Sequence, residues 1–250
     1  MSIEKYLNRI ICDDVANVLP YLPENSVDLI CTSPPYNLGN RTPPKNTVWT
    51  GKKNMTIDYG VHSDNMPEKQ YQKWQNDIVR ECVRVIKPTG SIFYNHKPRR
   101  IGGLVVLPTN WLAEFKIKQL IIWDRRNSPQ INNVCFLPTT EHIYWITKTD
   151  KTPKFYREKC NYTSEIWDLP VRMDNPHPAP FPIELPINCI LGCTDEGDVV
   201  LDPFVGSGTT AVACKQYKRN FIGIDNNPEY CEMAKENLAK MPDSLDKWVK

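Results

Sequence analysis

The segment VVLDPFVGSGTTAVACKQY limits the fold more than any other part of the sequence, because it predicts a strand, a tight turn and a helix in that order. The run VVL is apolar, and the turn after it carries Gly206 and Gly208. After the alanine-rich helix, RNFIGID predicts a second strand that ends at Asp225. Strand, helix and strand in succession are typical of a parallel α/β sheet.

The first half of the chain carries the same alternation. RIICDDVANVLPYLPENSVDLICT predicts a short strand, an acidic turn, a short helix and a strand that ends near Cys31. From Pro67 onward, Tyr71, Trp74 and Ile78 recur at helical spacing, and PTGSIFYNH then predicts a strand. Further strands are predicted at KQLIIWDR and EHIYWITK, and a further helix at IELPINCILGC. The predicted fold class is therefore α/β.

Length and composition are those of an ordered globular protein. At 250 residues the chain can bury a sizeable core, and a net charge of +2 permits nucleic acid as a partner without requiring it. No run approaches the roughly eighteen apolar residues of a membrane span, and MSIEKYLNRI lacks the apolar core of a signal peptide. The nine cysteines are scattered singly, which favours reduced core thiols over a metal site or disulfides. We therefore expect a cytoplasmic protein without membrane contact and without metal.

Residues 31–37, CTSPPYN, form an unusual loop after the apolar run SVDLI. Pro34 and Pro35 have a fixed φ and no backbone donor, so the carbonyls of Ser33 and Pro34 cannot enter a helix and stay available as acceptors. The loop follows the carboxyl end of a predicted strand, where α/β sheets bind their ligands. It is predicted to be a rigid acceptor site with Tyr36 beside it. The alternative is a strand terminator with a surface tyrosine.

The glycine turn has the features of a nucleoside-binding site. Gly206 and Gly208 let the backbone pass close to a ligand, and the following helix offers free amides at its positive end. Asp225 lies 17 residues beyond Gly208, at the tip of the next strand, where an acid can accept from both hydroxyls of a ribose. An NAD site is the alternative, but the third glycine of the dinucleotide fingerprint is absent and Thr209 follows Gly208. This favours a nucleoside without a pyrophosphate, such as S-adenosylmethionine.

Together, the two stretches resemble the amino-methylating DNA methyltransferases, which modify cytosine N4 or adenine N6. That family has an (Asp/Asn/Ser)-Pro-Pro-(Tyr/Phe) loop and a Phe-x-Gly-x-Gly turn, and this chain has TSPPY at 32–36 and DPFVGSG at 202–208. Ser33 precedes Phe204 by 171 residues, an order similar to that of the permuted β group, whereas glutamine-modifying methyltransferases of release factors place the loop after the turn. The resemblance implies a Rossmann-like S-adenosylmethionine-dependent methyltransferase fold, with a mostly parallel sheet, helices on both faces and a circularly permuted motif order.

The same resemblance assigns residues to the site. It implies that Asp13, in the first acidic turn, contacts the adenine of the cofactor, that Asp225 binds its ribose, and that HPAPFP at 177–182 leads into the cofactor half. The expected catalytic residues are Ser33, Pro34, Pro35 and Tyr36. The expected cofactor-binding residues are Asp13, Asp202, Phe204, Gly206, Ser207, Gly208, Thr209, Asp225, Asn226 and Phe181.

We expect one methyltransferase domain over residues 1–250, with a catalytic half at 1–147, a target-recognition segment at 148–176 and a cofactor-binding half at 177–250. The middle segment loses the α/β alternation and carries six Lys or Arg against five acids, so a solvated connector is the alternative. Residues 37–66 are polar and without apolar periodicity. A DNA clamp, a lid and a dimer contact are all open for this loop.

The predicted reaction follows from the acceptor loop. An exocyclic amino group is a poor nucleophile, because its lone pair is delocalised into the ring of the base. If Ser33 Oγ and the Pro34 carbonyl each accept one of its hydrogens, the nitrogen can approach sp³ geometry and attack the sulfonium methyl in line. The base must leave the duplex for this, and Tyr36 is the expected stacking surface. No Pro-Cys dipeptide is present, which argues against methylation of a cytosine ring carbon.

In this family, serine at the first loop position is usual in cytosine-N4 enzymes, and Asp or Asn in adenine-N6 enzymes. The predicted function is therefore site-specific N4 methylation of cytosine, with adenine N6 methylation as the alternative. More remote alternatives are an RNA methyltransferase and a non-catalytic nucleic-acid-binding module. The expected partner is double-stranded DNA, and the resemblance also allows a homodimer and a cognate restriction endonuclease. Arginines in NHKPRR at 95–100 and WDRRN at 123–127 are weaker candidates for contacts to the phosphate backbone.

Overall fold

The computed structural model describes residues 2–38, 65–126, 135–169 and 181–241. Most of the loop at 37–66, the end of the segment 148–176 and the first part of HPAPFP therefore lie outside the described residues. The strands are β1 (Arg9–Cys12), β2 (Val27–Thr32), β3 (Ile86–His96), β4 (Arg99–Ile101), β5 (Leu104–Val106), β6 (Lys116–Asp124), β7 (Thr140–Thr147), β8 (Ile166–Asp168), β9 (Val199–Asp202) and β10 (Asn220–Asp225). The α-helices are α1 (Val15–Val18), α2 (Glu68–Val85), α3 (Thr109–Leu112), α4 (Glu184–Cys193), α5 (Thr209–Gln216) and α6 (Pro228–Ala239).

Eight of the described strands form one sheet in the order β1-β10-β9-β2-β3-β7-β6-β8, and β4 pairs with β5 in a separate hairpin. The neighbours from β1 to β3 in this order are parallel, as are β6 and β8. Only β7 runs antiparallel to its two neighbours in this sheet, β3 and β6. The prediction of a mostly parallel α/β sheet is confirmed.

Helices cover both faces of the sheet, as predicted. Along β2, Val27 and Ile30 belong to the apolar cluster that includes α1, α2 and α3, whereas Leu29 and Cys31 belong to the cluster that includes α4 and α5. Every residue of β2 is buried, as is usual for a parallel strand covered on both sides. Full burial of each such apolar side chain contributes about 1.5–3 kcal/mol to folding. None of the described helices is long and apolar enough to span a membrane.

The helix predicted from Pro67 onward is confirmed as α2. Its buried side chains recur at helical spacing, which gives it one face toward the sheet: Tyr71, Gln75, Ile78, Val79, Cys82 and Val85. Glu68 in the first turn suits the positive end of the helix dipole. Gln75 is the polar exception in this buried stripe.

Strands from distant parts of the chain are neighbours in the sheet. β9 pairs with β2 through Leu29 opposite Val200, and β10 pairs with β1 through Cys12 opposite Asp225. Parallel strands place their carboxyl ends at one edge, so the loops after β1, β2, β9 and β10 meet there. The acceptor loop and the glycine turn therefore lie side by side.

The described part of the segment 148–176 is packed onto the rest of the fold. β8 extends the sheet beside β6, and the Tyr156 amide donates to the Gly192 carbonyl at 2.7 Å. A Cβ at Gly192 would lie 2.8 Å from Cys160 Sγ, so this part of the segment lies close against α4. Its role in target recognition stays a prediction.

Candidate active site

A cleft opens at the carboxyl edge of β1, β10, β9 and β2, where the acceptor loop and the glycine turn meet. It encloses about 710 Å³, a volume that includes open solvent at its mouth. Eight of the predicted site residues line it: Ser33, Pro34, Pro35, Tyr36, Phe204, Gly206, Asp225 and Asn226. The lining also includes residues that the sequence patterns did not assign to a site: Asp14, Val15, Trp74, Pro203 and Tyr230.

Asp225 and the glycine turn form one unit at the end of β10. The Gly206 amide donates to Asp225 Oδ2 and the Asn227 amide donates to Oδ1, each at 2.9 Å. Gly208 has a φ of +88°, and a Cβ at this position would lie 2.9 Å from the Cβ of Ala234, so only glycine allows α6 to approach the turn this closely. Burial raises the pKa of Asp225. Each carboxylate oxygen keeps acceptor capacity for a ligand in the cleft.

Asp202 lies beneath the cleft and supports the turn. Its buried carboxylate accepts from Thr32 Oγ1 at 2.8 Å, from Thr210 Oγ1 at 2.6 Å and from the Phe204 amide at 3.1 Å. These bonds tie the end of β9 to β2 and to the first turn of α5. Burial raises the pKa of Asp202 to about 6, although the hydrogen bonds favour the ionised form.

The buried carboxyl of Asp202 predicts a pH-dependent stability. Its folded-state pKa of about 6 lies above the ordinary value of 3.8, so the folded protein binds the proton more tightly and the free energy of unfolding falls as pH rises between these values. We expect this decrease to reach up to about 3 kcal/mol. Urea unfolding of the wild type and of Asp202→Asn at several pH values measures it. The free energy of the wild type minus that of the variant should fall as pH rises, and a constant difference would contradict the assignment.

Ser33 and Tyr36 belong to a hydrogen-bond network that includes side chains from β3 and β7. Ser33 Oγ lies 2.6 Å from the Tyr36 hydroxyl, which lies 2.9 Å from Glu141 Oε2. Asn95 Nδ2 donates to the Tyr36 hydroxyl at 2.8 Å, to Glu141 Oε2 at 2.9 Å and to Ser33 Oγ at 3.3 Å. Arg125 Nη1 donates to Glu141 Oε1 at 2.8 Å. The antiparallel pairing of β3 with β7 brings Asn95 and Glu141 together beside the loop.

The second proline of the loop is held from α2. The Pro35 carbonyl accepts from the Tyr71 hydroxyl at 2.7 Å and from Gln75 Nε2 at 3.1 Å, which accounts for the buried glutamine in this helix. The Tyr71 hydroxyl also lies 2.7 Å from Nε2 of His96, whose pKa is lowered by burial to about 3, so that the ring is neutral. Within the described ranges the Pro34 carbonyl accepts no hydrogen bond, so it stays available to the cleft.

The remaining predicted residues are not among those that line the cleft. Asp13 is exposed, and its carboxylate accepts from the Asp14 amide at 2.7 Å and from Asn17 Nδ2 at 2.9 Å. Asp14 caps α1 by accepting from the Ala16 amide at 2.8 Å, and it is Asp14 that lines the cleft. Also absent from the lining are Asp202, Ser207, Gly208, Thr209 and Phe181. The predicted cofactor contacts of these residues stay predictions.

Two groups of site residues have little or no signal in the sequence. Trp74 has the spacing of a core position, yet it lines the cleft and meets Phe204 edge to face, with 5.7 Å between ring centroids. Asn95 and Glu141 are buried at the ends of two strands that reach the same edge. Their place near the carboxyl edge of a predicted strand pair is the one signal that points to them.

Three of the four arginines considered for phosphate contacts have carboxylate partners, whereas Arg100 donates to the Cys135 thiol. Arg99 is 3% exposed and donates twice to Glu68, at 2.7 and 2.9 Å. Arg125 is paired with Glu141, and Arg126 is paired with an acid of β8. Arg99 is therefore not placed to contact a phosphate group, and Arg125 belongs to the network around the loop.

The charge of the cleft limits its ligand. Asp14 and Asp225 are acidic, and no Lys or Arg lies on the described lining. Such a cleft disfavours phosphates and favours a cation. S-Adenosylmethionine carries a sulfonium and an ammonium group against one carboxylate, and it has no phosphate. The carboxylate of Asp225 suits ribose hydroxyls, and the rings of Phe204 and Trp74 suit a flat base. The residues present therefore fit this nucleoside better than a dinucleotide.

Known proteins resemble this chain in both sequence and fold. Residues 27–236 match the DNA methylase family N6_N4_Mtase. The chain is 34% identical over 251 residues to the type II methyltransferase M.HpaI of Haemophilus parainfluenzae, covering 92% of this chain and 74% of the relative. The structure of PvuII DNA methyltransferase (cytosine-N4-specific) has a TM-score of 0.73 at 20% identity, covering 95% of this chain and 88% of that one. The structure of the Thermus thermophilus protein TTHA0409 in complex with S-adenosyl-L-methionine has a TM-score of 0.66 at 26% identity and 93% coverage of both chains.

The family match includes both the acceptor loop and the glycine turn, and it spans most of the chain. The sequence relative is itself a type II methyltransferase, and a structural relative binds the nucleoside that fits the acidic cleft. The chain therefore belongs to the N6/N4 DNA methylase family, the DNA methyltransferases that use S-adenosyl-L-methionine and modify an amino group of cytosine or adenine.

Proposed function

We propose that this chain methylates the exocyclic N4 amino group of cytosine within a short DNA sequence, with adenine N6 as the alternative target. The observation that supports cytosine is Ser33, whose position lines the cleft at the start of the acceptor loop. Cytosine-N4 enzymes of the family usually carry serine there. A hydroxyl can accept a hydrogen from either amino group, so the alternative rests on the same geometry.

Two acceptors of the loop act on the amino group together. Ser33 and Pro34 both line the cleft, and the Pro34 carbonyl has no hydrogen-bond partner in the described ranges. When each acceptor takes one amino hydrogen, the nitrogen lone pair leaves conjugation with the ring and points out of the plane of the base. Bound S-adenosyl-L-methionine supplies an electrophilic sulfonium methyl. The protein orients the amino nitrogen toward it without a covalent enzyme intermediate.

The target base leaves the duplex to reach these acceptors. Ser33 is half-buried and Tyr36 is 7% exposed, so a base paired within the helix would not reach them. The ring of Tyr36 lies 4.5 Å from that of His96, between centroids, and its hydroxyl is held by Glu141. The ring is thus a fixed wall of the cleft, and stacking of a base on such a ring contributes about 1–3 kcal/mol.

The cofactor is held by the opposite wall of the cleft. The carboxylate of Asp225 binds the two ribose hydroxyls, and the apolar rings of Phe204 and Trp74 contact the adenine. Asp14 replaces Asp13 in the expected contact to the adenine, because Asp14 lines the cleft and the carboxylate of Asp13 is engaged with Asp14 and Asn17.

A pair of matched substitutions tests this choice between neighbouring acids. We expect Asp14→Asn to raise the dissociation constant of S-adenosyl-L-methionine about 10-fold, since a charge-assisted hydrogen bond is lost. Asparagine is also a good N-cap, so α1 should stay intact. Asp13→Asn should leave the constant within about twofold. Isothermal titration calorimetry measures both, and a larger effect at Asp13 would restore it as the adenine contact.

Nucleoside mass spectrometry tests the proposed function. Unmethylated DNA of varied sequence is incubated with the purified protein and S-adenosyl-L-methionine, then digested and analysed. N4-Methylcytosine is the expected product. N6-Methyladenine would establish the alternative target and show that Ser33 does not choose the base. Absence of both on varied DNA, with cofactor binding intact, would overturn the proposal.

The partner predictions extend this proposal. M.HpaI is a type II methyltransferase, and we expect the methylation by this chain to protect its DNA site from a cognate restriction endonuclease. Digestion of methylated and unmethylated DNA with candidate endonucleases tests this once the site is known. The predicted homodimer is tested by light scattering of the purified chain, where the mass of a monomer would contradict it.

A further inference from the structure

We infer that Glu141 is a positioning residue, which fixes the Ser33 hydroxyl as a hydrogen-bond acceptor toward the amino group of the target base. The inference rests on the proposed function and assigns a role to a residue on β7 that does not line the cleft. Glu141 is 6% exposed, and its carboxylate contacts the loop only through the side chain of Tyr36 among the described loop residues.

The carboxylate of Glu141 determines which groups of the network donate and which accept hydrogen bonds. Glu141 Oε1 accepts from Arg125 Nη1 at 2.8 Å, and the side chains of this ion pair are 7% and 17% exposed. A carboxylate in an ion pair has no hydrogen to donate. At the 2.9 Å contact between Glu141 Oε2 and the Tyr36 hydroxyl, the tyrosine must therefore be the donor.

The direction at Tyr36 decides the direction at Ser33. A hydroxyl has one hydrogen, and that of Tyr36 is directed to Glu141, so its oxygen can only accept from Ser33. The Ser33 hydroxyl accordingly donates across the 2.6 Å contact to Tyr36. Its own hydrogen is then engaged by Tyr36, and a lone pair of Ser33 Oγ remains for an amino hydrogen of the base.

Asn95 is oriented by the same carboxylate. Its Nδ2 lies 2.9 Å from Glu141 Oε2 and 2.8 Å from the Tyr36 oxygen, and a flipped amide would place Oδ1 against the carboxylate. In the observed orientation Asn95 Oδ1 is buried and has no hydrogen-bond partner within the described ranges. An unpaired buried oxygen is rarely retained without a reason. Here the reason is that Nδ2 supports the acceptor geometry of Ser33 and Tyr36.

Replacing Glu141 by glutamine keeps the shape of the side chain and reverses the direction of its hydrogen bond with Tyr36. If the new carbonyl accepts from Arg125, the new amide faces Tyr36 and donates to it. The Tyr36 hydrogen is then free to turn toward Ser33, which pushes the Ser33 hydrogen into the cleft, where it opposes the amino hydrogens. We expect Glu141→Gln to lower kcat roughly 10- to 100-fold, as for a small misplacement at a reacting centre, with the KM for S-adenosyl-L-methionine unchanged.

A double-mutant cycle tests whether Glu141 acts through the Tyr36 hydroxyl. Tyr36→Phe removes the hydroxyl, so Glu141→Gln should then cost less than about threefold in kcat, against roughly 10- to 100-fold when Tyr36 is present. Glu68→Gln is the matched control, because Glu68 also binds a buried arginine, Arg99, and makes no contact with Ser33 in the described structure. It should change kcat by less than about threefold.

Three results would overturn the inference: equal losses from Glu141→Gln with and without the Tyr36 hydroxyl, no loss at all, or a loss explained by weaker cofactor binding or a lower Tm. The activity of the wild type separates this inference from the proposed function. If the wild type methylates adenine instead of cytosine, the cycle still applies, because the acceptor is the same for both amino groups. If it methylates no DNA, the proposed function fails and the inference falls with it.

Discussion

Ser33→Ala is expected to lower kcat for DNA methylation by about 10²- to 10³-fold, the loss typical of removing one preorganised hydrogen-bonding group at a reacting centre. Ser33 lies at the cleft with its hydroxyl 2.6 Å from that of Tyr36. Alanine leaves the Pro34 carbonyl as the one acceptor of the loop for two amino hydrogens. Transfer of radiolabelled methyl groups to DNA under single-turnover conditions measures the chemical step directly.

Cofactor binding separates a catalytic effect from a structural one. The dissociation constant of S-adenosyl-L-methionine should stay within about twofold in Ser33→Ala, because the proposed ribose and base contacts are made by other residues. Ser26→Ala is a matched control, since Ser26 lies just before the amino end of the same strand and its hydroxyl donates to the Pro23 carbonyl at 2.6 Å. Full activity in Ser33→Ala, or an equal loss in Ser26→Ala, would remove Ser33 from the reaction.

Asp225→Ala is expected to raise the dissociation constant of S-adenosyl-L-methionine by about 10²- to 10³-fold, since two hydrogen bonds to a charged group contribute roughly 3–5 kcal/mol together. The carboxylate lines the cleft and is held in place by the amides of Gly206 and Asn227. Because burial raises its pKa, protonation begins at a higher pH than for an ordinary carboxyl. Binding to the wild type should therefore weaken as pH falls toward that pKa.

Calorimetric titration at several pH values tests both statements about Asp225. Asp225→Asn should bind more weakly than the wild type and should lose the acid-side dependence, because its side chain does not titrate. Asp195→Asn is the control, since Asp195 lies in the loop after α4 and pairs with Lys154 outside the cleft. An unchanged dissociation constant in Asp225→Ala, in a protein of unchanged Tm, would show that this acid does not hold the ribose.

The parts of the site that could be predicted from the sequence are those built by adjacent residues. Two prolines after a buried strand limit the backbone whatever surrounds them, so the loop around Ser33 is visible as an acceptor site. A glycine turn between a strand and a helix is equally local, and the acid at the end of the next strand, Asp225, follows from the length of one helix and one strand. The mostly parallel sheet follows from the alternation of such units.

The parts that could not be predicted depend on register and capping. Glu141 is 105 residues beyond Tyr36, and their contact requires β7 to pair antiparallel with β3 in one particular register. Which of the two acids, Asp13 or Asp14, lines the cleft depends on which of them caps α1. Asp14 is the capping residue, and it is the one that lines the cleft. Trp74 has the sequence spacing of a core residue of α2. It lines the cleft because this end of the helix lies at the carboxyl edge of the sheet.

The neighbours in the sheet also set the order in which the protein can become functional during synthesis. β2 cannot pair with β9, nor β1 with β10, until the later strand has been synthesised, because most of the chain separates the two strands of each parallel pair. Such long-range pairing is slow to form, and a ribosome-bound chain that has emerged only as far as β7 carries the acceptor loop without Asp225 or the glycine turn. A nascent enzyme therefore lacks Asp225 and Phe204, two of the proposed cofactor contacts, until its last helices and strands have docked. Once they have docked, S-adenosyl-L-methionine that binds the folded chain adds to its stability by mass action.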